Sequence, residues 1–439
     1  MLDLTEQIVK KALSLGASDA VAEITKDKTH QIRFANSDIT VMQNWHQVSA
    51  EIFIALQKKV VSTSISDLSK DSIENTLKNL VSAAKVSEPS STYKGLAEGP
   101  FKYKSVEESY DRRIADLGDK AIDFVYSAIN AANAKRVAGV LYSSSWERFL
   151  STSAGINASE KGTDIEMSTR AFNEKDESGH GVACSRLLNR FNPESAGEKA
   201  GEIAKLARKP IAADAGKYDV IFDPLSFADL LNCAGRAASA FDVDAGFSCL
   251  AGMLGKKVAN FRLSLYDESN ASNGFGSVAF DDEGVPTQKT AIIKDGVLKN
   301  YLHNTSTAAK YSTRTTGNAG LVAPYPRNIV MDAGGYSKDE LFDEVRNGIY
   351  ITNVWYTRFQ NYRDGSFSTI PRDGIFLIQS GQIIKSLKGI RVSDNLLRIL
   401  QEIAAISRER DWIHWWEVEI PTLAPYALVK DVNITKSTM

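Results

Sequence analysis

The residue types that could do chemistry are few in this sequence, and they are scattered along it. His414, Trp415, Trp416 and Glu417 spell part of an inverted H-x-x-E-H zinc motif, but position 418 is a valine, so the second histidine is missing. These aromatic residues are therefore expected to fill a core or an interface. The other histidines lack metal-like spacing and are interpreted as surface or structural imidazoles: His30, His46, His180 and His303.

The thiols suggest a second kind of chemistry. Cys233 could be the nucleophile of a cysteine hydrolase, because an activating histidine would meet it only in space and sequence spacing cannot test that. Cys233 and Cys249 both lie in apolar surroundings, however, where a free cysteine behaves as a small hydrophobic residue. With Cys184 they make three cysteines and no C-x-x-C, a pattern typical of reduced thiols in a cytoplasmic protein.

An acidic run provides a third candidate. Asp281, Asp282 and Glu283 could bind a divalent cation. Gly284 and Pro286 follow directly, and both residues favour turns. We therefore predict a solvent-exposed turn in preference to a metal site.

The stretch from Tyr218 to Gly246 is predicted to position the central side chains of the molecule. Tyr218 to Phe222 is a short apolar run rich in strand-forming residues, and Asp223-Pro224 interrupts it. Ser226 to Ala240 predicts a helix. Its apolar face carries Phe227, Leu230, Leu231 and Ala234. The side chains that this arrangement would present at a cleft are Asn232, Cys233 and Ala237.

This stretch resembles the TldD/PmbA (TldE) family, the so-called modulators of DNA gyrase. In its TldD-type metallopeptidase members the same helix carries H-E-x-x-x-H. When the two are aligned on Leu230-Leu231, the histidines fall on Asn232 and Ala237 and the glutamate on Cys233. The resemblance therefore implies the PmbA/TldE branch, which lacks a metal site of its own.

The H-E-x-x-x-H motif could bind zinc only in a particular helix geometry. Residues five apart on an α-helix differ by ~500° and share no face, so a π-bulge would be needed to bring positions 232 and 237 together. Two imidazoles there could hold zinc, and a carboxylate could activate its water. Asn232 is a poor zinc ligand, Ala237 is none, and Cys233 cannot replace a carboxylate as general base. The cysteine that completes the metal site in TldD-type members is missing too, since no cysteine follows Cys249.

Further segments carry the same resemblance in the same order. They are Phe280 to Pro286, Gly296 to Asn304, Thr316 to Ala319, Tyr350 to Thr352 and Asp364 to Ser368. None is decisive alone, but their order and spacing are specific. The resemblance covers most of the chain and is densest from Tyr218 to Ser380.

The bulk composition places limits on function. The 439 residues suffice for two or three domains, and an apolar fraction of 43% permits a full core. A net charge of -2 gives no reason to expect nucleic-acid binding. No apolar run reaches the length of a membrane span, and residues 1–17 predict an amphipathic helix, not a signal peptide.

Hydrophobic periodicity predicts an α+β protein. We expect an N-terminal α/β domain over 1–110 with helices against a mainly antiparallel sheet, a middle region over 111–215, and a β-rich C-terminal domain over 216–439 that houses the degenerate site. In the first, Val48 to Leu56 alternates like a half-buried strand, and a helix starts near Asp71. In the second, the spacing from Ile114 to Ile129 predicts one long helix. In the third, Ser337 and Glu340 predict a capping box.

The resemblance implies a non-catalytic subunit of a zinc metallopeptidase that acts on unfolded or small peptides. The expected partner is a TldD-type chain or a second copy, with zinc in the partner and none in this chain. Such a chain would complete the chamber and admit extended peptide, and strand addition would suit that role. Two alternatives stay open at this point: a regulatory protein with no part in proteolysis, and a peptidase with an unorthodox site.

Overall fold

The computed structural model of the chain describes residues 1–437, and its first half forms an antiparallel sheet of long strands. The strands are β1 Asp19–Ala35, β2 Asp38–Leu56, β3 Lys59–Ile65, β4 Arg136–Thr152, β5 Asn157–Phe172 and β6 Ser178–Ser185. They lie in the order β3-β2-β1-β4-β5-β6, and every neighbouring pair is antiparallel. Because β1 pairs with both β2 and β4, the sheet runs unbroken across residue 110.

Helices cover this sheet in two groups. They are α1 Leu2–Ser14, α2 Lys70–Val86, α3 Arg112–Ala115, α4 Ala121–Ala132 and α5 Pro193–Leu206, with short 3₁₀ turns at Gly118–Lys120 and Leu188–Arg190. The apolar faces of α1 and α2 bury one core with β1 and β2, whereas α4 and α5 bury a second core nearer β4 and β5. The helix predicted near Asp71 is α2, and Ser69 caps it.

Two predictions for this half are wrong in detail. The long helix expected from Ile114 to Ile129 is broken, because Gly118 adopts a left-handed φ of +52° between α3 and α4. The half-buried strand expected from Val48 to Leu56 is covered on both faces near its end. Phe53 is 3% exposed there because Tyr93, from the connection after α2, packs over it at 5.8 Å.

The second half is built on a mixed sheet of twelve strands. They are β7 Ile211–Ala212, β8 Gly216–Phe222, β9 Leu265–Glu268, β10 Lys289–Lys294, β11 Val297–Leu298, β12 Ile329–Met331, β13 Asn347–Asn361, β14 Ser366–Gln379, β15 Gln382–Lys388, β16 Ile390–Asn395, β17 Ile403–Trp415 and β18 Val418–Lys436. The main path is β11-β10-β9-β12-β18-β8-β13-β14-β15-β7; β16 pairs with β14 and β18, and β17 pairs with β18. The last strand therefore lies at the centre of the sheet, with β8 beside it.

Short helices join these strands, and one longer helix packs on them. They are α6 Pro224–Ala237, α7 Ala240–Ala245, α8 Thr305–Lys310, α9 Lys338–Asp343 and α10 Leu396–Gln401. The capping box predicted at Ser337 and Glu340 is present at the start of α9. The predicted α+β class, with an antiparallel N-terminal sheet and a strand-rich C-terminal region, is confirmed.

Within residues 1–437, no helix combines the length and the apolar character that a membrane crossing requires.

Candidate functional site

Helix α6 starts from a buried ionic cluster at the end of β8. The Asp223 carboxylate accepts a hydrogen bond from Leu225 N at 3.0 Å and so caps the helix, and Pro224 occupies the first turn. Lys199 Nζ, from α5, lies 2.8 Å from Asp223 Oδ1, and the Tyr350 hydroxyl donates to Oδ2 at 2.7 Å. The start of the helix is thereby tied to both halves of the molecule.

Asn232 points into the packing between this helix and the β17–β18 hairpin. Its side chain is 4% exposed, and Nδ2 donates to Ile420 O at 2.6 Å and to Thr422 Oγ1 at 3.2 Å. The amide therefore holds the hairpin against α6. Cys233 and Ala237 are half-buried and pack against the same core.

The Cys233 thiol is in an environment that keeps it protonated. Burial raises its pKa well above the ordinary value, and the nearby Asp229 carboxylate raises it further. Burial likewise raises the pKa of Cys249 to about 11, and that of Cys184 well above its ordinary value. An activated thiolate needs the opposite shift, so these surroundings are typical of structural cysteines.

The residues of α6 do not fit a zinc ion. The Asn232 amide already donates to the β17–β18 hairpin, the Cys233 thiol stays neutral, and the Ala237 side chain has no atom that could bind a metal. The helix is α-helical from Pro224 to Ala237, so positions 232 and 237 lie on different faces. Across residues 1–437, no group of three or more histidine, cysteine or acidic side chains is placed to hold a metal ion.

A buried carboxylate that was not predicted lies one turn before these positions. Asp229 is 4% exposed and is hydrogen-bonded by the Thr357 hydroxyl, which also contacts Thr369 Oγ1 at 2.7 Å. Burial raises the pKa of Asp229 to about 7, although the Thr357 bond opposes this shift. The available sequence signal was a single acid inside the apolar run of α6.

The HWWE segment forms an aromatic cluster beside α6. Trp415 is 4% exposed and meets His180 edge-on at 4.7 Å, so it fills a core as expected. Trp416 is 52% exposed and contacts Trp355 at 5.1 Å and Tyr356 at 5.8 Å. Together these residues, Trp355, Tyr356, Trp415 and Trp416, are called the aromatic cluster below.

His414 takes part in a separate contact between the two halves. Its Nδ1 meets the Glu166 carboxylate of β5, and its ring lies 4.6 Å from that of Phe275. Desolvation would lower the pKa of His414, but the bond to Glu166 raises it overall. Of the remaining histidines, His180 is buried between Ser168 and Asn353, a structural role that agrees with our interpretation.

The exposed turn predicted at Asp281 to Glu283 is wrong. Asp281 is fully buried and accepts hydrogen bonds from the backbone N–H groups of Glu283 and Val285 at 3.0 and 2.9 Å. Glu283 is 4% exposed and accepts from Thr305 N at 3.0 Å. The turn is buried because the long connection after α2 and the first sheet cover it. The Tyr103 hydroxyl, for example, donates to Gly284 O at 2.7 Å.

Comparison with known proteins identifies the family. Residues 215–436 match the PmbA/TldA metallopeptidase C-terminal domain, and residues 101–208 match the central domain. The chain therefore belongs to the PmbA/TldA metallopeptidase family, and the resemblance to TldD/PmbA proteins is confirmed.

Relatives in two archaea are named metalloproteases. The chain is 29% identical over 235 residues to one from Methanothermobacter thermautotrophicus (52% of this chain, 51% of that protein). It is 34% identical over 221 residues to one from Archaeoglobus fulgidus (48% and 51%). The chain thus spans about half the length of these curated relatives.

Two solved structures share the whole fold. A proposed modulator of DNA gyrase from Thermotoga maritima has a TM-score of 0.87 at 24% identity, and 99% of each chain is covered. TldE from Thermococcus kodakarensis also has a TM-score of 0.87, at 19% identity, covering 98% of this chain and 100% of that one. At these identities the likeness establishes the fold.

Proposed function

We propose that this chain is the non-catalytic subunit of a TldD/TldE-type zinc metallopeptidase that processes unfolded or small peptides. The observation that carries the proposal is that α6 is well packed but lacks the side chains that a zinc site needs. Asn232, Cys233 and Ala237 supply neither zinc ligands nor a general base, while the helix keeps a well-packed place beside β18. Zinc would reside in a partner that bears the H-E-x-x-x-H motif.

The chemistry of amide hydrolysis supports this division of labour. Attack by water needs an activated nucleophile and a stabiliser for the developing oxyanion, and a zinc ion supplies both. This chain has lost ligands and base together, and its thiols are held neutral by burial. Its contribution would be to shape the chamber, admit extended peptide and stabilise the partner.

The exposed part of the aromatic cluster is the surface we assign to the partner. Trp416 and Tyr356 are 52% and 42% exposed, and large exposed aromatic side chains are enriched at protein interfaces. Both lie beside α6, as a surface that helps enclose the partner's active site would require.

The test uses this chain alone, a motif-bearing TldD-type chain alone, and their mixture. We expect peptide cleavage only in the mixture, with sensitivity to a chelator, and co-elution of the two chains on size exclusion. Chelator-sensitive cleavage by this chain alone would overturn the assignment. Failure to associate would favour the regulatory alternative.

A matched pair of variants tests the interface. Trp416→Ala should weaken association with the motif-bearing chain by about tenfold, because interface tryptophans often contribute more than 1 kcal/mol. Val86→Ala removes a more exposed apolar side chain, 84% against 52%, from the end of α2 and should leave association unchanged. Equal effects of the two variants would remove Trp416 from the interface.

A further inference from the structure

On the side away from β13, strand β14 pairs with two strands, β16 and β15, and a stretch of β14 between them is unpaired. β16 pairs with β14 up to Thr369, opposite Val392, and β15 pairs with it from Phe376, opposite Ser386. Between these points residues 370–375 of β14 have no described strand partner on that side. The connection from β15 to β16 turns away from β14 at Gly389, whose φ is +75°.

This unpaired stretch opens into a cleft of 930 Å³ that also borders the first sheet. The volume is within the range of ligand pockets, ~300–1,000 Å³. Its walls combine apolar and cationic side chains. The apolar ones include Phe172, Ile370, Pro371, Ile375 and Leu387.

Positive charge dominates the lining. Five cations and two carboxylates line the cleft. Asp373 is paired with Arg170 at 2.5 Å, and Asp176 with Lys388 at 2.8 Å. Lys436 lies 3.8 Å from Asp214. Within residues 1–437 no carboxylate pairs with the two remaining cations of the lining, Lys175 and Arg372.

One cationic side chain of this lining also has a buried nitrogen without a hydrogen-bond partner. Arg170 Nε is buried and has no hydrogen-bond partner in the described chain, although its guanidinium lies over the rings of Phe172 and Trp355 at 5.0 and 4.9 Å. Buried polar groups are rarely left without a partner. A ligand in this cleft would add negative charge next to that group.

The backbone of β14 is shaped as a local sheet edge. Proline in a sheet directs its missing N–H toward an unpaired side, so we expect Pro371 to turn its carbonyl oxygen into the cleft as a free acceptor. Asp373 and Gly374 have φ values of +56° and +115°, and Thr352 Oγ1 bonds both of their carbonyl oxygens. These two residues form a bulge in β14, because Ile351 pairs with Ile375 and Asn353 with Arg372. The Thr352 hydroxyl holds this bulge in place, and strained backbone of this kind clusters at functional sites.

We propose that this cleft binds a short acidic peptide in an extended conformation. The ligand must carry negative charge that can pair with Arg372 and Lys175. It must also have an apolar part to contact the apolar lining, and N–H donors for the unpaired backbone at Pro371. An extended peptide with carboxylates on alternate residues meets all three requirements. The site is on the opposite side of β13 from β8, away from Asn232 and Cys233. It needs no partner chain and is independent of the proposed non-catalytic role.

The experiment measures fluorescence anisotropy of a labelled glutamate–alanine hexapeptide with the full chain alone. The glutamine–alanine hexapeptide is the uncharged control. We expect binding of the acidic peptide only, weakening as salt rises because ion pairs at a partly exposed site are screened. Arg372→Gln and Lys175→Gln should each reduce affinity about three- to fivefold.

Lys78→Gln is the matched control, because Lys78 is an exposed cation on α2, remote from the cleft. Equal weakening by Lys78→Gln, equal binding of both peptides, or no binding at millimolar peptide would overturn the proposal. So would stronger competition by an oligothymidylate octamer or inorganic phosphate than by unlabelled acidic peptide. If Arg372→Gln lowers the melting temperature, the exposed Lys175→Gln and the salt dependence decide the question.

Discussion

Asp229 shows how a single side chain in α6 can make folding depend on pH. It is a buried carboxylic acid whose pKa is raised to about 7 by desolvation, with Thr357 as its hydroxyl partner. A pKa raised in the folded state means that folded protein binds the proton more tightly than unfolded protein does. The stability that this group contributes is therefore full at acidic pH and is lost as pH rises from about 4 to about 7.

Asp229→Asn should remove this pH dependence. The amide keeps an oxygen for Thr357 and carries no charge, so at pH 8 the variant should be more stable than the natural chain by about 2 kcal/mol. Near pH 4 the two should be similar. Urea unfolding across pH 4–8 measures the difference, with the exposed Asp119→Asn as control. A difference that is constant over this range would show that Asp229 ionises normally.

Neighbouring positions 232 and 233 should respond differently to truncation. Asn232→Ala removes one of the two side-chain donors to the buried Ile420 carbonyl, which keeps the Thr422 hydroxyl at 2.9 Å, and it leaves a small cavity; together these should cost about 2 kcal/mol in the free energy of unfolding. Cys233→Ala removes one sulfur from apolar packing and should cost at most about 1–2 kcal/mol. Chemical denaturation and the peptidase assay of the mixed subunits measure both. A loss of turnover by Cys233→Ala at unchanged melting temperature would revive the cysteine-hydrolase alternative.

At this scale the sequence identified which residues replace the motif but not what they do instead. The partners of Asn232 are about 190 residues away, and no local pattern predicts that pairing. The same limit explains the error at Asp281 to Glu283. Local turn chemistry was interpreted correctly as a turn, while burial came from segments distant in the chain.

At the scale of elements, the regular geometry of α6 decides whether a metal site can be rebuilt. Positions 232 and 237 are ~140° apart around a straight helix, so two histidines there would not converge on one ion. We expect neither the natural chain nor Asn232→His/Ala237→His to retain stoichiometric zinc after dialysis. Elemental analysis measures this. About one zinc per chain in the double variant would mean that the helix can open into a π-bulge.

Helix α5 is held to its neighbour by glycines that leave no room for a side chain. A Cβ at Gly201 would lie 1.9 Å from Ala132 O, and one at Gly197 would lie 2.2 Å from Ala128 O. Gly201→Ala must therefore push α5 away from α4, and we expect a loss of about 3 kcal/mol. Gly335→Ala is the control, because a Cβ there would meet nothing within 4 Å. Similar melting temperatures for the two variants would contradict this contact.

Element types followed from sequence wherever a short pattern determines them. The strand from Tyr218, the helix after Pro224 and the capping box at Ser337 all depend on neighbouring residues. The break at Gly118 had only the glycine itself as a local signal, whereas the double covering of Phe53 depends on tertiary packing. The domain boundaries near 110 and 215 stay predictions, although the first sheet continues across the former.

At the scale of the whole molecule, Arg148 joins the first sheet to the C-terminal half. Its side chain is 7% exposed and pairs with Glu23 at 2.6 Å and with Asp282 at 2.7 Å, while it also donates to Phe280 O at 2.9 Å. Glu160 lies 3.4 Å away. Removing this one cation would leave three half-buried acids close together, of which, within the described chain, Asp282 alone keeps another cation, Arg327 at 2.6 Å.

Arg148→Gln should therefore separate the unfolding of the two halves. Breaking a buried ion pair costs about 3–5 kcal/mol, and here that loss falls on the contact between the sheets. Calorimetry should show one transition for the natural chain and two for the variant. Arg112→Gln, which breaks a highly exposed ion pair, should leave a single transition. One transition in both proteins would mean that other contacts keep the halves coupled.

The central position of β18 has a consequence for how the protein emerges from the ribosome. All strands of the first sheet have been synthesised by residue 185, so that sheet can form early. Strand β8 must wait about 200 residues for its neighbour β18, and contacts of such separation form slowly. In the meantime the side of α6 that packs on β18 has nothing to cover it, which is when a nascent chain aggregates or recruits chaperones. Limited proteolysis of stalled nascent chains should find residues 1–208 protected well before β18 has left the exit tunnel.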